Sequence, residues 1–139
     1  MARYFLDTHI VYWLVSESPK LDNNLRDDIL YPGGDQYVTS EFVILELTHL
    51  CQLGKVKIPG GVKAVHEALQ SMNIEMDLIT QKVFDVLEQT PILTINGAKH
   101  SDMIDRIIIA NCIAHKQTCI SHDTKFPHYR KYGLNQLEA

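Results

Sequence analysis

The chain has too few cysteines for a disulfide scaffold and no apolar run long enough to cross a membrane. Its three cysteines, Cys51, Cys112 and Cys119, cannot all pair with one another, which points to a reducing cytoplasm. The apolar-looking start from Met1 to Val15 is interrupted by Asp7 and His9, well short of the about 20 residues a span needs. It also lacks the basic start and small-residue cleavage site of a signal peptide. Basic charge is in deficit too: 17 acids face 13 bases, for a net charge of −4, and no basic stripe advertises a nucleic acid. That deficit does not exclude RNA. If four of the acids gather around a divalent ion, the other thirteen balance the thirteen bases. Internal repeats, low-complexity tracts and interdomain linkers are absent. What remains is a chain of 139 residues, 45% hydrophobic and 22% charged, expected to fold as a single domain over residues 1–139. Such a chain should bury roughly two-thirds of its extended surface.

The order of elements follows from patterning. Arg3 to Leu6 is a short β-prone run ending at Asp7-Thr8, both helix-capping types, before the apolar stretch from Ile10 to Val15. Ser18-Pro19 is expected to open a second helix carrying Leu21, Leu25, Ile29 and Leu30, ended by Pro32-Gly33-Gly34. Tyr37-Val38 reads as a short strand. Thr39-Ser40 then caps a helix in which Phe42, Val43, Leu45, Leu47 and Leu50 surround Glu46. After Pro59-Gly60-Gly61 come a helix through Val65 and Leu69, a β-like stretch from Asn73 to Leu78, and a helix capped by Thr80. Ser101-Asp102 opens the clearest helix, Met103 to His115, and Thr118 to Ser121 is a strand ending at His122-Asp123. Leu134 to Leu137 is a candidate edge strand. Strands alternating with helices predict an α/β sandwich, a parallel sheet covered on both faces.

On that outline the acids converge. Asp7 and Asp123 follow strands, Asp105 lies in the first turn of a helix, and Glu46 sits on an apolar helix face. Ligands of open parallel sheets bind beyond the carboxyl ends of the strands, where strand order reverses. Converging carboxylates repel and take up protons unless a counter-charge is present. Hard oxygen ligands of this kind suit Mg2+ or Mn2+. Singly, each acid is more often a cap, a turn residue or a solvated surface group; the four together at one sheet edge point to a site.

The motifs also resemble a known family. Phe5-Leu6-Asp7-Thr8-His9 is similar to the opening strand and acid of PIN domains, and Ser40 with Glu46 six positions later to their second motif. His100 to Arg106 followed by Ala110 resembles the third, and Cys119 to Phe126 the fourth. Leu53 to Pro59 looks like the connector of the VapC-type toxins of type II toxin–antitoxin modules. Met103-Ile104 departs from the Pro-Phe often found there. The resemblance implies a PIN-like three-layer sandwich and a Mg2+- or Mn2+-dependent endoribonuclease with Asp7, Glu46, Asp105 and Asp123 as its acids. Asp7 and Asp105 would be direct metal ligands, with Glu46 and Asp123 completing the shell. Thr8 or Ser40 would hold a water or phosphate, and Asp102 would cap the helix with Asp105 at its third position. The resemblance also implies an RNA substrate, a homodimer and a cognate antitoxin, with Tyr12, Trp13 and Leu14 offering a contact surface.

Some residues keep two readings. Arg106 is either a phosphate-binding cation or a salt-bridge partner of a neighbouring acid. Lys55, Lys57 and Lys125 are backbone contacts for RNA or solvated lysines. Cys112-x-x-His115 and Cys119-x-x-His122 have zinc-like spacing, although packing explains both cysteines. A phosphoacceptor fold lacks its adjacent acidic pair after the first strand. A binding module that no longer cuts RNA is the remaining alternative.

Overall fold

The computed structural model describes residues 1–139. In chain order its elements are β1 (Arg3–Leu6), α1 (Thr8–Val15), α2 (Asn23–Leu30), β2 (Gln36–Ser40), α3 (Glu41–Gln52), α4 (Gly61–Ser71) and β3 (Glu75–Asp77). They continue with α5 (Gln81–Gln89), β4 (Thr94–Ile95), β5 (Ala98–Lys99), α6 (Met103–His115), β6 (Thr118–Ser121), a 3-10 helix (Phe126–Tyr132) and β7 (Asn135–Glu138). Five strands form one sheet in the order β3-β2-β1-β6-β7, and every pairing in it is parallel. Helices flank the sheet, giving the three-layer α/β sandwich. The expected edge strand exists as β7.

Strand order decides where a site can form. From β1 the chain steps outward through β2 and β3, then returns to lay β6 and β7 on the other side of β1. The reversal therefore falls between β1 and β6, and the crevice beyond their carboxyl ends is the natural binding position. Central strands of such a sheet are buried on both faces and must be apolar throughout. Phe5 and Leu6 of β1, Val38 of β2, and Cys119 and Ile120 of β6 are accordingly fully buried, within a core of 25 apolar residues. A second, smaller cluster of Val83, Ile107, Ala110 and Ala114 seals α5 against α6.

Two local features differ from the expectations. The second helix starts at Asn23, not at Ser18-Pro19, because Ser18 is spent on a turn. Its carbonyl accepts from the Leu21 N–H and its hydroxyl from the Lys20 N–H. Asp22 then caps α2 by accepting from the Leu25 N–H at 3.1 Å. The second difference is a hairpin, β4 paired antiparallel with β5. Its two turn residues, Asn96 and Gly97, both have positive φ, 51° and 81°, as a tight hairpin turn of this type demands. Trp13 and Leu14 belong to the core rather than to a contact surface, and only Tyr12 of that trio is half-buried.

Candidate active site

Asp7 ends β1 and caps α1 in one step. Its backbone is still extended while α1 begins at the next residue, and its Oδ1 accepts from the Thr8 N–H at 2.7 Å. Its Oδ2 accepts from the Ser121 hydroxyl at 2.7 Å, across the reversal point from β6. The Ser121 oxygen in turn accepts from the Asp123 N–H at 3.0 Å. One serine thus ties the acid after β1 to the acid after β6. Asp123 spends its Oδ1 on the Lys125 N–H at 2.8 Å, and the Lys125 ammonium lies 3.8 Å from the same oxygen. Asp123 is therefore a turn residue at the rim of the crevice as well as a charge beside Asp7 and Asp105.

The tightest convergence involves the two helices. Glu46 of α3 and Asp105 of α6 come together with Asp102, each offering a carboxylate oxygen, all within 4.8 Å of one another. Asp102 is the cap of α6, accepting from the Asp105 N–H at 3.0 Å. The capping role was legible in the spacing; the place of Asp102 within the cluster was not. Thr8 lies beside Glu46, yet its Oγ1 is short of hydrogen-bond geometry and is buried with no partner. Ser40 is buried at the end of β2 and precedes α3 without capping it through its side chain. Arg106 makes no ion pair or side-chain hydrogen bond. Its stem runs along an apolar groove of about 110 Å³ lined by Phe42, Phe84, Leu87, Met103, Ile104 and Ile107. The salt-bridge reading of Arg106 is not what the fold adopts.

Electrostatics mark the same spot. Burial, reinforced by Asp102, Asp123, Asp7 and Glu46, pushes Asp105 from 3.8 up to about 8. Burial pushes Asp7 up to about 6 despite the bonds from Ser121 and Thr8. Glu46 is raised as well, again by burial, with Asp7 and Asp102 adding to it. Acids crowded this way hold protons near neutrality unless a cation replaces them. A set of hard carboxylate oxygens, plus an orphaned hydroxyl at Thr8, fits a divalent ion such as Mg2+ or Mn2+. A thiolate-binding metal does not fit. Cys112 and Cys119 face each other in the core, where their mutual hydrogen bond and burial push the Cys119 thiol well above its ordinary value. His115 contacts Asp77 at 3.3 Å and His122 the Ala139 carbonyl at 2.6 Å. The zinc spacing in the sequence does not become a site.

His100 and Tyr129 complete the neighbourhood. His100 Nε2 lies 3.1 Å from Asp105 Oδ2, and its Nδ1 lies 2.7 Å from the Tyr129 hydroxyl. Both residues are buried. The sequence held a signal for the hairpin that delivers His100, since Asn-Gly is a strong hairpin turn. It held none for Tyr129 or Ser121, which act only through tertiary contact.

Comparison with known proteins agrees with this fold. The fold is similar to a chain of VapBC2 from Rickettsia felis, determined bound to a DNA fragment from their promoter (TM-score 0.66, 17% identity, 98% of each chain). It is also similar to a chain of DNA-bound VapBC from Salmonella typhimurium (TM-score 0.67, 16% identity, covering 99% of this chain and 98% of that one). A third likeness is to VapBC-1 from nontypeable Haemophilus influenzae (TM-score 0.59, 17% identity, 98% and 97% covered). No curated protein matches the chain in sequence. The PIN domain family model matches residues 4–132, and the chain belongs to the PIN domain family.

Proposed function

We propose that this protein is a Mg2+- or Mn2+-dependent endoribonuclease, the VapC-like toxin of a toxin–antitoxin pair, acting as a single PIN domain of residues 1–139. The observation that carries the reading is the meeting of Glu46, Asp102 and Asp105 within 4.8 Å at the sheet's reversal point. Asp105, pushed up to about 8, makes the same point in electrostatic terms. A protein with no use for a cation gains nothing from gathering acids that raise one another's pKa.

Asp105, Glu46 and Asp102 would hold the ion, with Asp7 behind them and Asp123 at the rim. When bound, it supplies Lewis acidity toward a phosphate oxygen and lowers the pKa of a coordinated water. The chain's own groups do the rest. Asp7, fixed through both oxygens by Thr8 and Ser121, keeps negative charge beneath the cluster. The Thr8 hydroxyl, buried without a partner, would bind a water or a phosphate oxygen, alone or with Ser40. Arg106, free of any acid, reaches the substrate backbone as a cation. The partners proposed are RNA as substrate, a second copy of the chain, and a cognate antitoxin. The exposed apolar side chains Phe84 and Met103, beside Arg106, are consistent with a protein contact on that face.

The test is RNA cleavage by the purified chain with Mn2+, with EDTA, and with Asp105→Asn. Cleavage that needs the metal and disappears in the variant supports the reading. Mn2+ binding with no cleavage of any RNA leaves a silent binding module. A wild type whose melting ignores millimolar Mn2+ removes the metal-dependent reading altogether.

A further inference from the structure

We propose that His100 is a positioning residue for the metal-binding carboxylate of Asp105, and that the Tyr129 hydroxyl holds His100 in place. The inference rests on the metal-dependent reading above and adds two residues to it. His100 lies between the β4–β5 hairpin and α6, with its side chain only 3% exposed. Both ring nitrogens are engaged, Nδ1 with the Tyr129 hydroxyl at 2.7 Å and Nε2 with Asp105 Oδ2 at 3.1 Å. A neutral imidazole has one donor and one acceptor nitrogen, and an ionised carboxylate only accepts. An Asp105 ready for a cation therefore takes the Nε2 proton, and Nδ1 accepts from the Tyr129 O–H. Each atom of the chain then has a matched partner, as a buried polar network requires.

The consequence is directional. With Oδ2 engaged, the Asp105 carboxyl cannot swing about its last torsion, and Oδ1 is the oxygen left for an ion shared with Glu46 and Asp102. Tyr129 comes from the 3-10 helix after β6, and its ring is fully buried. The C-terminal segment thereby fixes a ligand on α6. Groups that orient a metal ligand in this way commonly carry 10–100-fold in metal affinity. Burial alone, as a satisfied core histidine, would carry none.

The experiment measures Mn2+ dissociation constants by the loss of the free-ion EPR signal, with urea unfolding alongside. The wild type, His100→Gln, His100→Leu and Tyr129→Phe are compared under conditions where each is folded. Positioning predicts binding weakened about 10–100-fold in His100→Leu, largely restored in His100→Gln, whose amide N–H donates at similar reach, and weakened less in Tyr129→Phe. Equal Mn2+ affinity across all four, whatever their stabilities, overturns the inference while leaving the metal site standing. If His100→Leu does not fold, Tyr129→Phe binding Mn2+ as tightly as wild type overturns it alone. A wild type that binds no Mn2+ is a different failure, because it takes down the metal-dependent reading first.

Discussion

Helix α6 carries two buried polar regions, and they are built on opposite principles. Near its start, Asp105 faces four other acids, and burial with their charge pushes it up to about 8. Facing its second half, Asp77 at the end of β3 is surrounded by donors. Arg3 donates to it at 2.7 Å, Gln117 at 2.5 Å and Asn111 at 3.2 Å, with His115 at 3.3 Å. Burial pushes Asp77 up too, but the bonds from Gln117, Arg3 and Asn111 outweigh it and hold the carboxyl below its ordinary value. The residue type and the helix are the same; the company differs. A carboxylate ringed by donors clamps β3 to α6, whereas one ringed by acids holds its proton unless a cation replaces it.

The largest expected effect sets the two against each other. Asp77→Ala strands four polar side chains and should lower the unfolding free energy by about 3 kcal/mol. Asp105→Asn relieves repulsion and should raise the metal-free value at pH 8, by on the order of 1–3 kcal/mol. Urea melts in EDTA check both, and a shared sign would break the contrast.

Next comes pH. Asp105 and Asp7 titrate near 8 and 6 when folded, above the 3.8 of the unfolded chain. The folded state then holds protons that the unfolded state has released, so metal-free stability should fall as pH rises from about 4 to 8. Asp77 works the other way: its contribution is present above the unfolded value and lost as pH falls through the lowered folded value. Together they predict a stability maximum on the acid side of neutrality. In urea midpoints measured against pH, Asp105→Asn should flatten the alkaline limb and Asp77→Ala the acid limb.

A smaller change should follow from Ser121→Ala, which removes the donor to Asp7 and the acceptor of the Asp123 N–H. A loss of about 1 kcal/mol in a urea melt is expected. Arg106→Ala should cost no more than about 1 kcal/mol, since the guanidinium has no ion pair or hydrogen bond to lose and only its stem packs against the groove. Its mark should appear in RNA binding instead, as a salt-dependence slope shallower by about one. A stability loss well beyond that, not restored by Arg106→Met, would mean that the guanidinium, like Asp77, is structural.

How much of this was legible beforehand varied by residue. Asp7, Glu46, Asp105 and Asp123 were readable because a strand end, an apolar helix face or a helix's first turn makes a carboxylate conspicuous. Asp102 was readable as a cap, since capping is a three-residue affair. The hairpin has a local signal in Asn96-Gly97, and α2 begins four residues beyond Pro19 because a turn and a cap at Asp22 compete with an early start. The zinc-like spacing misled for a physical reason. Residues three apart on a helix share a face, but Cys112 points into the core while His115 reaches Asp77 at the helix end.

The sequence by itself determined the alternation of strands and helices, the parallel sheet and the acids at its carboxyl edge, because these follow from periodicity and from residues only a few positions apart. Only the tertiary structure decided which acids meet, that Ser121 joins Asp7 to Asp123, that Tyr129 reaches His100, and that the Asp77 carboxyl is held below its ordinary value while that of Asp105 is pushed above it. Those outcomes depend on strand order and on burial. Both bring together side chains as far apart in the chain as positions 7 and 121, and no local pattern encodes such a meeting.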